Sequence, residues 1–245
     1  MKAHARPLEK SSPSKMNRVV FLLAVSVFVN YIDRSNLSVA APVVKQQLEL
    51  TPSQLGTLLS AFFWTYAGLQ IIAGWVVDRL DVKWVLAAGF ALWSIATAAT
   101  GILHGFAALL VVRVIVGAGE SVAFSSYSKI IGTHVPEERR GFANAMVGAG
   151  LAIGPGLGML MGGALMEHWG WRTFFVATGL VSLMWLGPWV RWMPSARSIA
   201  APPVSPAASC PGILDILRKR SAWGTFIGLF CGNYILYFLL TWLPS

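Results

Sequence analysis

The stretch that decides the fold is Phe106–Ile131, FAALLVVRVIVGAGESVAFSSYSKII. It is long enough to cross a bilayer, which needs about 20 predominantly apolar residues. Arg113 and Glu120 lie inside its apolar part, seven residues apart, so on an α-helix they share a face about 10 Å apart along the axis. Within a membrane, each charge costs at least about 2.5–3.5 kcal/mol unless a partner or water relieves it. The pattern therefore predicts buried charged partners elsewhere in the chain and a function that uses charge.

The composition indicates an integral membrane protein. Apolar residues make up 56% of the chain and charged residues 12%, and the mean hydropathy of +0.63 is too high for a soluble domain of this size. We predict an all-α membrane fold, with a six-helix N-terminal bundle followed by a seventh transmembrane helix. Apolar runs of spanning length place these helices at 18–40, 54–77, 84–103, 106–131, 142–166, 171–192 and 223–243.

Polar segments divide the chain into four parts. Residues 1–17 are predicted to form a disordered basic cytoplasmic tail, and residues 18–192 the six-helix bundle. The proline-rich segment 193–222, ending in a surface-lying amphipathic turn, is predicted to be a cytoplasmic linker. Residues 223–245 read as the first helix of a second bundle, because Asn233-Tyr234-Ile235 repeats Asn30-Tyr31-Ile32 at the point where a second repeat would begin. The chain is therefore expected to be a fragment of a longer transporter-like protein built from two repeats.

The net charge of +9 is an orientation signal. Fifteen of the 19 lysines and arginines fall on the side of the N-terminus, whereas only Lys45 and Arg172 fall on the opposite side. The positive-inside rule then places the N-terminus in the cytoplasm, and we expect a multi-pass protein of the plasma or inner membrane that does not bind nucleic acid. The two cysteines lack metal-ligand spacing, so no metal or cofactor is predicted.

Helix one supplies the expected charged partners, Asp33 and Arg34. They either neutralise one another, or leave one charge for a ligand and a carboxyl group that exchanges protons near neutral pH, because low dielectric favours its neutral form and the arginine its charged form. Alternatively, all four buried charges form structural pairs. Since two acids and two bases sum to zero, an added anion is accommodated most easily together with a proton. Arginine suits carboxylate recognition through its planar fork.

Small residues and a tyrosine complete the candidate site. Gly117 and Gly119 remove side-chain bulk and would admit substrate or a helix-one side chain. Tyr66, which shares a helix face with Phe63 and Gln70, is a candidate hydroxyl donor. Helix five carries a glycine every fourth residue and a proline expected to bend it, for which packing is favoured over ligand contact. These residues are Gly150, Gly154, Pro155, Gly158 and Gly162.

Several motifs resemble a known family. Gly74-x-x-x-Asp78-Arg79-x-Asp81-x-Lys83 resembles the signature cytoplasmic loop of the major facilitator superfamily, although the family usually has glycine at position 81. Four further stretches resemble the anion:cation symporter family within that superfamily. These are Asn30–Ala40, Arg113–Glu120, Glu138–Gly141 and Trp169–Arg172. The resemblance extends over nearly the whole chain from residue 18.

The resemblance implies a twelve-helix carrier, not an enzyme, that takes up organic anions such as sugar acids or aromatic and aliphatic carboxylates with protons by alternating access. A monomer is expected. It further implies that Arg113 holds the substrate carboxylate with Arg34, Tyr31 and Tyr66 around it, and that Asp33 and Glu120 carry protons. Gly74, Asp78, Arg79 and Lys83 would form the gating motif that locks the inward side.

Other functions stay open at this point. The glycine stripe with Pro155 resembles a motif of exchangers within the superfamily, so organic-anion exchange is an alternative to proton symport. A truncated, non-transporting membrane sensor and a membrane-embedded enzyme are further alternatives. Residues 148–151 lack the amide side chain expected for a polyhydroxylated acid, which favours a less polar substrate.

Overall fold

A computed structural model of the chain describes residues 13–194, 215 and 217–242, and every regular element in these ranges is helical. The elements are α1 (Pro13–Gln47), α2 (Pro52–Gly68), α3 (Gln70–Arg79), α4 (Val82–Ile102), α5 (Phe106–Glu120), α6 (Ala123–His134), α7 (Glu137–Leu183), α8 (Leu186–Trp192), α9 (Arg220–Tyr237) and a π-helical segment, Phe238–Trp242. Residues 1–12 of the predicted tail and most of the predicted linker 193–222 lie outside the described residues.

Six segments correspond to the six predicted helices of the bundle. Four continuous segments are long and apolar enough to cross a membrane, namely Met16–Gln47, Val82–Ile102, Phe106–His134 and Glu137–Trp192, and α2 with α3 forms a fifth that is bent by 44°. The backbone of the longest segment is broken at Gly170, with φ 76° and ψ 155°, which divides it into two spans. The predicted all-α membrane fold is confirmed. Helix α9, with 18 residues, is shorter than these spans.

Several predicted boundaries are wrong. Helix α1 includes residues 13–17, which were assigned to the tail, and continues to Gln47. The predicted helix 54–77 is two helices, and the predicted helix 106–131 is interrupted at residues 121–122. Hydropathy locates the apolar part of a span, whereas the hydrogen-bonded helix continues into its polar flanks and its local breaks leave hydropathy unchanged.

The turn Trp169–Arg172 contacts two helix ends on the side of the bundle opposite the chain's N-terminus. Trp171 donates its indole N–H to Oε1 of Gln47, at 2.7 Å, at the end of α1. The guanidinium of Arg172 donates to the carbonyl oxygen of Leu103, at 2.9 Å, where α4 ends. A cation at a helix C-terminus satisfies its free carbonyl groups and opposes its dipole. The Trp169–Arg172 turn therefore ties the sixth span to the first and the third.

The glycine stripe of α7 lies directly against α1. A Cβ atom at the first three of its four glycines would lie 2.5–2.9 Å from an atom of α1, closer than any unstrained contact. The contacted atoms are Ala24 O for Gly150, Phe28 O for Gly154 and Ser35 Oγ for Gly158. The backbone remains helical through Pro155. Close approach of the two helices is what small residues at such an interface allow.

Gly117 and Gly119 are also packing residues, so the interpretation that they make room for substrate is wrong. A Cβ at Gly117 would lie 2.3 Å from the carbonyl oxygen of Phe62 on α2. A Cβ at Gly119 would lie 2.9 Å from the backbone nitrogen of Trp93 on α4. Helix α5 thus packs against α2 on one side and α4 on the other, because its glycines let the backbones meet.

We expect Gly117→Ala to destabilise the bundle, because the added methyl group meets backbone atoms that cannot rotate away. Such overpacking typically costs about 1–3 kcal/mol. Gly148→Ala is the matched control, since a Cβ there meets nothing within 4 Å and alanine favours a helix over glycine by about 1 kcal/mol. The midpoint of thermal unfolding in detergent should fall for the first variant and be unchanged or higher for the second. Equal midpoints would contradict this packing.

Candidate functional site

The four predicted buried charges meet between α1 and α5. All four are almost completely buried: Asp33 is 4% exposed, Arg34 7%, Arg113 7% and Glu120 0%. Arg34 Nε and Glu120 Oε2 form an ion pair at 2.8 Å. Of the alternatives from the sequence, the structure therefore forms the pair between Arg34 and Glu120 but not a matching pair between Arg113 and Asp33.

Aromatic rings surround the guanidinium of Arg34. Its central carbon lies 4.8 Å from the ring centre of Tyr31, 4.4 Å from that of Tyr66 and 5.1 Å from that of Phe62. Such cation–π contacts stabilise a desolvated cation by about 2 kcal/mol or more. Tyr31 and Tyr66 therefore contact a buried charge, and their role in holding substrate stays a prediction. They reach Arg34 through their rings.

Arg113 and Asp33 retain unused hydrogen-bonding capacity. The guanidinium carbon of Arg113 lies 5.3 Å from the centre of the Phe62 ring, which therefore contacts both arginines. Asp33 accepts one hydrogen bond, from Nδ2 of Asn36 at 3.3 Å. Among the described residues, Arg34 Nη2, Arg113 Nε and Asp33 Oδ2 are buried without a hydrogen-bond partner. Glu120 Oε1 is likewise unpartnered, so two buried cationic donors and two carboxylate oxygens remain available to a ligand or a proton.

A narrow pocket opens between the two arginines. Its walls are mostly apolar, and its few polar groups are the two guanidinium groups and three hydroxyl groups. The lining residues are Arg34, Leu37, Ser38, Leu59, Phe62, Phe63, Arg113, Tyr237 and Thr241. Two guanidinium groups thus lie within apolar walls, and low local dielectric strengthens hydrogen bonds to charged groups.

Sequence reasoning missed Tyr237 and Phe62. Tyr237 comes from the end of α9, and its hydroxyl oxygen accepts a hydrogen bond from Nη1 of Arg34. The repeated Asn-Tyr-Ile motif drew attention to Tyr234 instead, which is 66% exposed. Phe62 is an apolar residue next to Phe63, and no feature of the sequence marked it as part of a site.

The predicted gating loop forms a turn without left-handed backbone. Asp81 has φ −65° and ψ 111°, and its side chain accepts a hydrogen bond from the backbone nitrogen of Lys83 at 3.0 Å, so it caps the start of α4. Aspartate is a favoured residue at that capping position. The departure from the family's glycine therefore leaves this turn intact. Gly74 lies within α3, where a Cβ would be 4.0 Å from Oγ of Ser125 on α6.

Asp78 and Arg79 end α3 at an exposed surface. The Asp78 side chain is exposed. Lys129 of α6 donates its ammonium group to the carbonyl oxygens of Val77 and Asp78. Arg79 stacks on Trp75, its guanidinium carbon 4.4 Å from the ring centre. That Asp78 and Arg79 lock the inward side stays a prediction.

This arrangement, a bundle of membrane-spanning helices enclosing a charged pocket, is that of a multi-pass membrane protein. The chain belongs to the major facilitator superfamily, whose family model matches residues 23–245. That membership confirms the resemblance seen in the loop Gly74–Lys83.

Curated relatives are named as transporters of organic anions. The chain is 29% identical over 240 residues to the hexuronate transporter of Bacillus subtilis, covering 96% of this chain and 57% of that protein. It is 32% identical over 241 residues to a probable sulfoacetate transporter, SauU, of Cupriavidus necator, covering 93% and 56%. A probable L-galactonate transporter of Escherichia coli is 28% identical over 243 residues, covering 92% and 53%. These names group the chain with transporters rather than enzymes. The chain spans about half the length of these relatives.

Solved structures support the same fold. The chain superimposes with a TM-score of 0.83 on a bacterial homologue of the human lysosomal transporter Spinster, in an inward-facing and unoccupied conformation. The match covers 96% of this chain and 56% of that chain at 23% sequence identity. The likeness concerns the fold.

Proposed function

We propose that this chain forms half of a secondary active transporter that moves an organic anion together with a proton by alternating access. The observation that carries the proposal is that Arg34 and Arg113 line one buried pocket, and only Arg34 is ion-paired within the described residues. A buried cationic donor without a partner is costly, and an anionic ligand removes that cost. The names of the relatives support an organic anion as the ligand.

Arg113 is the residue best suited to hold the substrate's anionic group. Its guanidinium lies in the pocket, and its Nε has no hydrogen-bond partner among the described residues. The guanidinium fork makes two parallel bonds to a carboxylate, which gives both energy and orientation. The ring of Phe62 contacts Arg113 and limits the directions from which an anion approaches.

Coupling to protons follows from the charge balance. The four buried charges sum to zero, so a bound monoanion leaves an excess negative charge in a medium of low dielectric. Protonation of Glu120 or Asp33 removes that excess. Glu120 has the more direct role, because its Oε2 accepts a hydrogen bond from Arg34 Nε at 2.8 Å. The Glu120 carboxylate therefore competes with an arriving anion for this arginine. Asp33, with one oxygen unpartnered among the described residues, is the second proton carrier.

The pocket walls favour an anion with a largely apolar body. Leu37, Leu59, Phe62 and Phe63 provide no hydrogen bonds to a sugar's hydroxyl groups. Buried hydroxyl groups without partners are unfavourable. A compact aliphatic or aromatic carboxylate therefore fits this half of the site better than a sugar acid.

We place the N-terminus in the cytoplasm of a cell whose plasma or inner membrane holds the protein. The concentration of lysine and arginine on that side supports the assignment. The exposed Asp78 and Arg79 would then face the cytoplasm, where contact with a second bundle would close the inward side. A reporter fused to the N-terminus and another in the turn 103–105 should report opposite sides of the membrane.

The deciding experiment is uptake by the intact gene product in proteoliposomes. Labelled benzoate, sulfoacetate, D-glucuronate and L-galactonate are offered with and without an inward proton gradient. We expect at least one of these acids to accumulate only when the gradient is imposed. Liposomes with Arg113→Gln protein provide the matched control for uptake at this site.

An exchanger is the second candidate, since a neutral cluster of charges also accommodates substitution of one anion for another. Uptake that ignores the proton gradient but rises with internal substrate would establish exchange and reject symport. Binding of an acid without any uptake would instead favour a sensor. If none of the acids is bound or taken up, organic-anion transport itself is rejected.

A further inference from the structure

Tyr237, a side chain of the protein itself, occupies part of the proposed anion site. Its hydroxyl oxygen accepts from Nη1 of Arg34, and its ring packs edge-on against Phe63, with centroids 4.9 Å apart and planes at 77°. It lines the pocket together with Arg113. A hydroxyl oxygen thus lies at a donor that an incoming anion would otherwise use.

The helix that carries Tyr237 contacts the described bundle at its C-terminal end. Residues 224–235 of α9 are exposed throughout, whereas Thr241 in the π-helical segment is 8% exposed. The helix changes from α to π directly after Tyr237. Short π-helical turns inside helices are frequent at functional sites. Tyr237 and Thr241 are therefore the side chains that this helix inserts into the pocket, at a place where its backbone pattern changes.

We propose that Tyr237 competes with the substrate anion for Arg34, so that anion entry displaces its hydroxyl and moves the π-helical segment away from the pocket. This rests on the proposed function. A carboxylate is a stronger acceptor for a guanidinium than a neutral phenol oxygen, because the bond then joins two charges. The anion therefore gains from the exchange of partners.

The same exchange sets a free-energy threshold that every ligand must exceed at Arg34. An uncharged solute accepts hydrogen bonds about as well as the phenol oxygen that it must replace, so it gains nothing from Arg34. A monoanion gains the difference between a charged and a neutral partner. The competing hydroxyl thus lowers the affinity of every ligand that displaces it by the same factor, and net binding at Arg34 remains only for an anion.

Tyr237→Phe tests the competition, since it removes the hydroxyl and keeps the ring against Phe63. Binding is measured with the intact gene product in detergent, using whichever of benzoate, sulfoacetate, D-glucuronate and L-galactonate the wild type takes up, and the corresponding neutral amide. We expect the variant's Kd for the acid to be about threefold to tenfold lower, and its Kd for the amide to fall as well. Tyr234→Phe is the matched control on the same helix, because Tyr234 is 66% exposed, and its Kd should equal that of the wild type.

Each other outcome overturns the proposal. An unchanged Kd assigns the hydroxyl to packing alone, and a raised Kd makes it a direct substrate contact. In wild-type protein labelled with 3-fluorotyrosine, the ¹⁹F resonance that Tyr237→Phe removes should shift on anion binding, and a resonance that stays in place rejects displacement even if the variant folds poorly. A wild type that binds none of the acids rejects the proposed function, whereas failure limited to Tyr237 leaves that function standing.

Discussion

Arg113→Lys should weaken anion binding about 10- to 100-fold. The fork of Arg113 makes two charge-assisted hydrogen bonds to a carboxylate, and an ammonium group keeps the charge but loses the second bond and the planar stacking on Phe62. One hydrogen bond to a charged group contributes about 1.5–3 kcal/mol, which corresponds to this range of affinity. The Kd for the transported acid, measured with the intact gene product, checks the value.

The control for this substitution is Arg191→Lys. Arg191 is exposed in α8 and lies outside the pocket lining. The Kd of the Arg191→Lys variant for the transported acid should therefore match that of the wild type. If Arg113→Lys also matches the wild type, Arg113 does not hold the anion, and Arg34 becomes the main anion ligand.

Glu120→Gln should abolish proton-driven accumulation while leaving exchange of internal for external substrate. The amide is close in size to the carboxyl group, and its oxygen still accepts from Arg34 Nε, so the local packing is kept. The amide does not take up or release a proton. The internal-to-external substrate ratio under an imposed proton gradient is therefore expected to fall to about one, whereas exchange continues.

Glu138→Gln is the matched control, since Glu138 is exposed at the start of α7 and outside the pocket. Its accumulation ratio should equal that of the wild type. If Glu120→Gln still accumulates substrate, Glu120 is not the proton carrier. The same measurement on Asp33→Asn would then decide whether Asp33 is.

The membrane fold was readable from the sequence because hydropathy is additive along the chain. The apolar segment Phe106–Ile131 predicted a membrane span. The two charges within it predicted a buried site, since only a functional or paired charge is tolerated there. The acid–base pair on helix one was found in the same way. The breaks within the second and fourth spans were not found, because a turn of one or two residues leaves the hydropathy of the run unchanged.

The role of each glycine was not readable from spacing alone. Gly117 and Gly119 stand beside the buried charges in the sequence, which favoured the interpretation that they clear space for a ligand. In the structure Gly117 faces α2 and Gly119 faces α4. Backbone atoms of those helices occupy the space that a side chain would need. The direction in which a helix presents a residue depends on the neighbours it packs against, and these are set by the whole bundle.

The sequence by itself determined that this protein spans a membrane, that it carries two acids and two bases inside it, and that its loops belong to the major facilitator superfamily. The tertiary structure decided which charges pair: Glu120 binds Arg34, while Arg113 keeps a donor free beside Phe62. It also brought Tyr237 to Arg34 across more than 200 residues of chain. Hydropathy and motifs are local properties of the chain. The partner of a buried charge is instead set by the packing of distant helices, because desolvation leaves each charge dependent on the few polar groups that the bundle brings within reach.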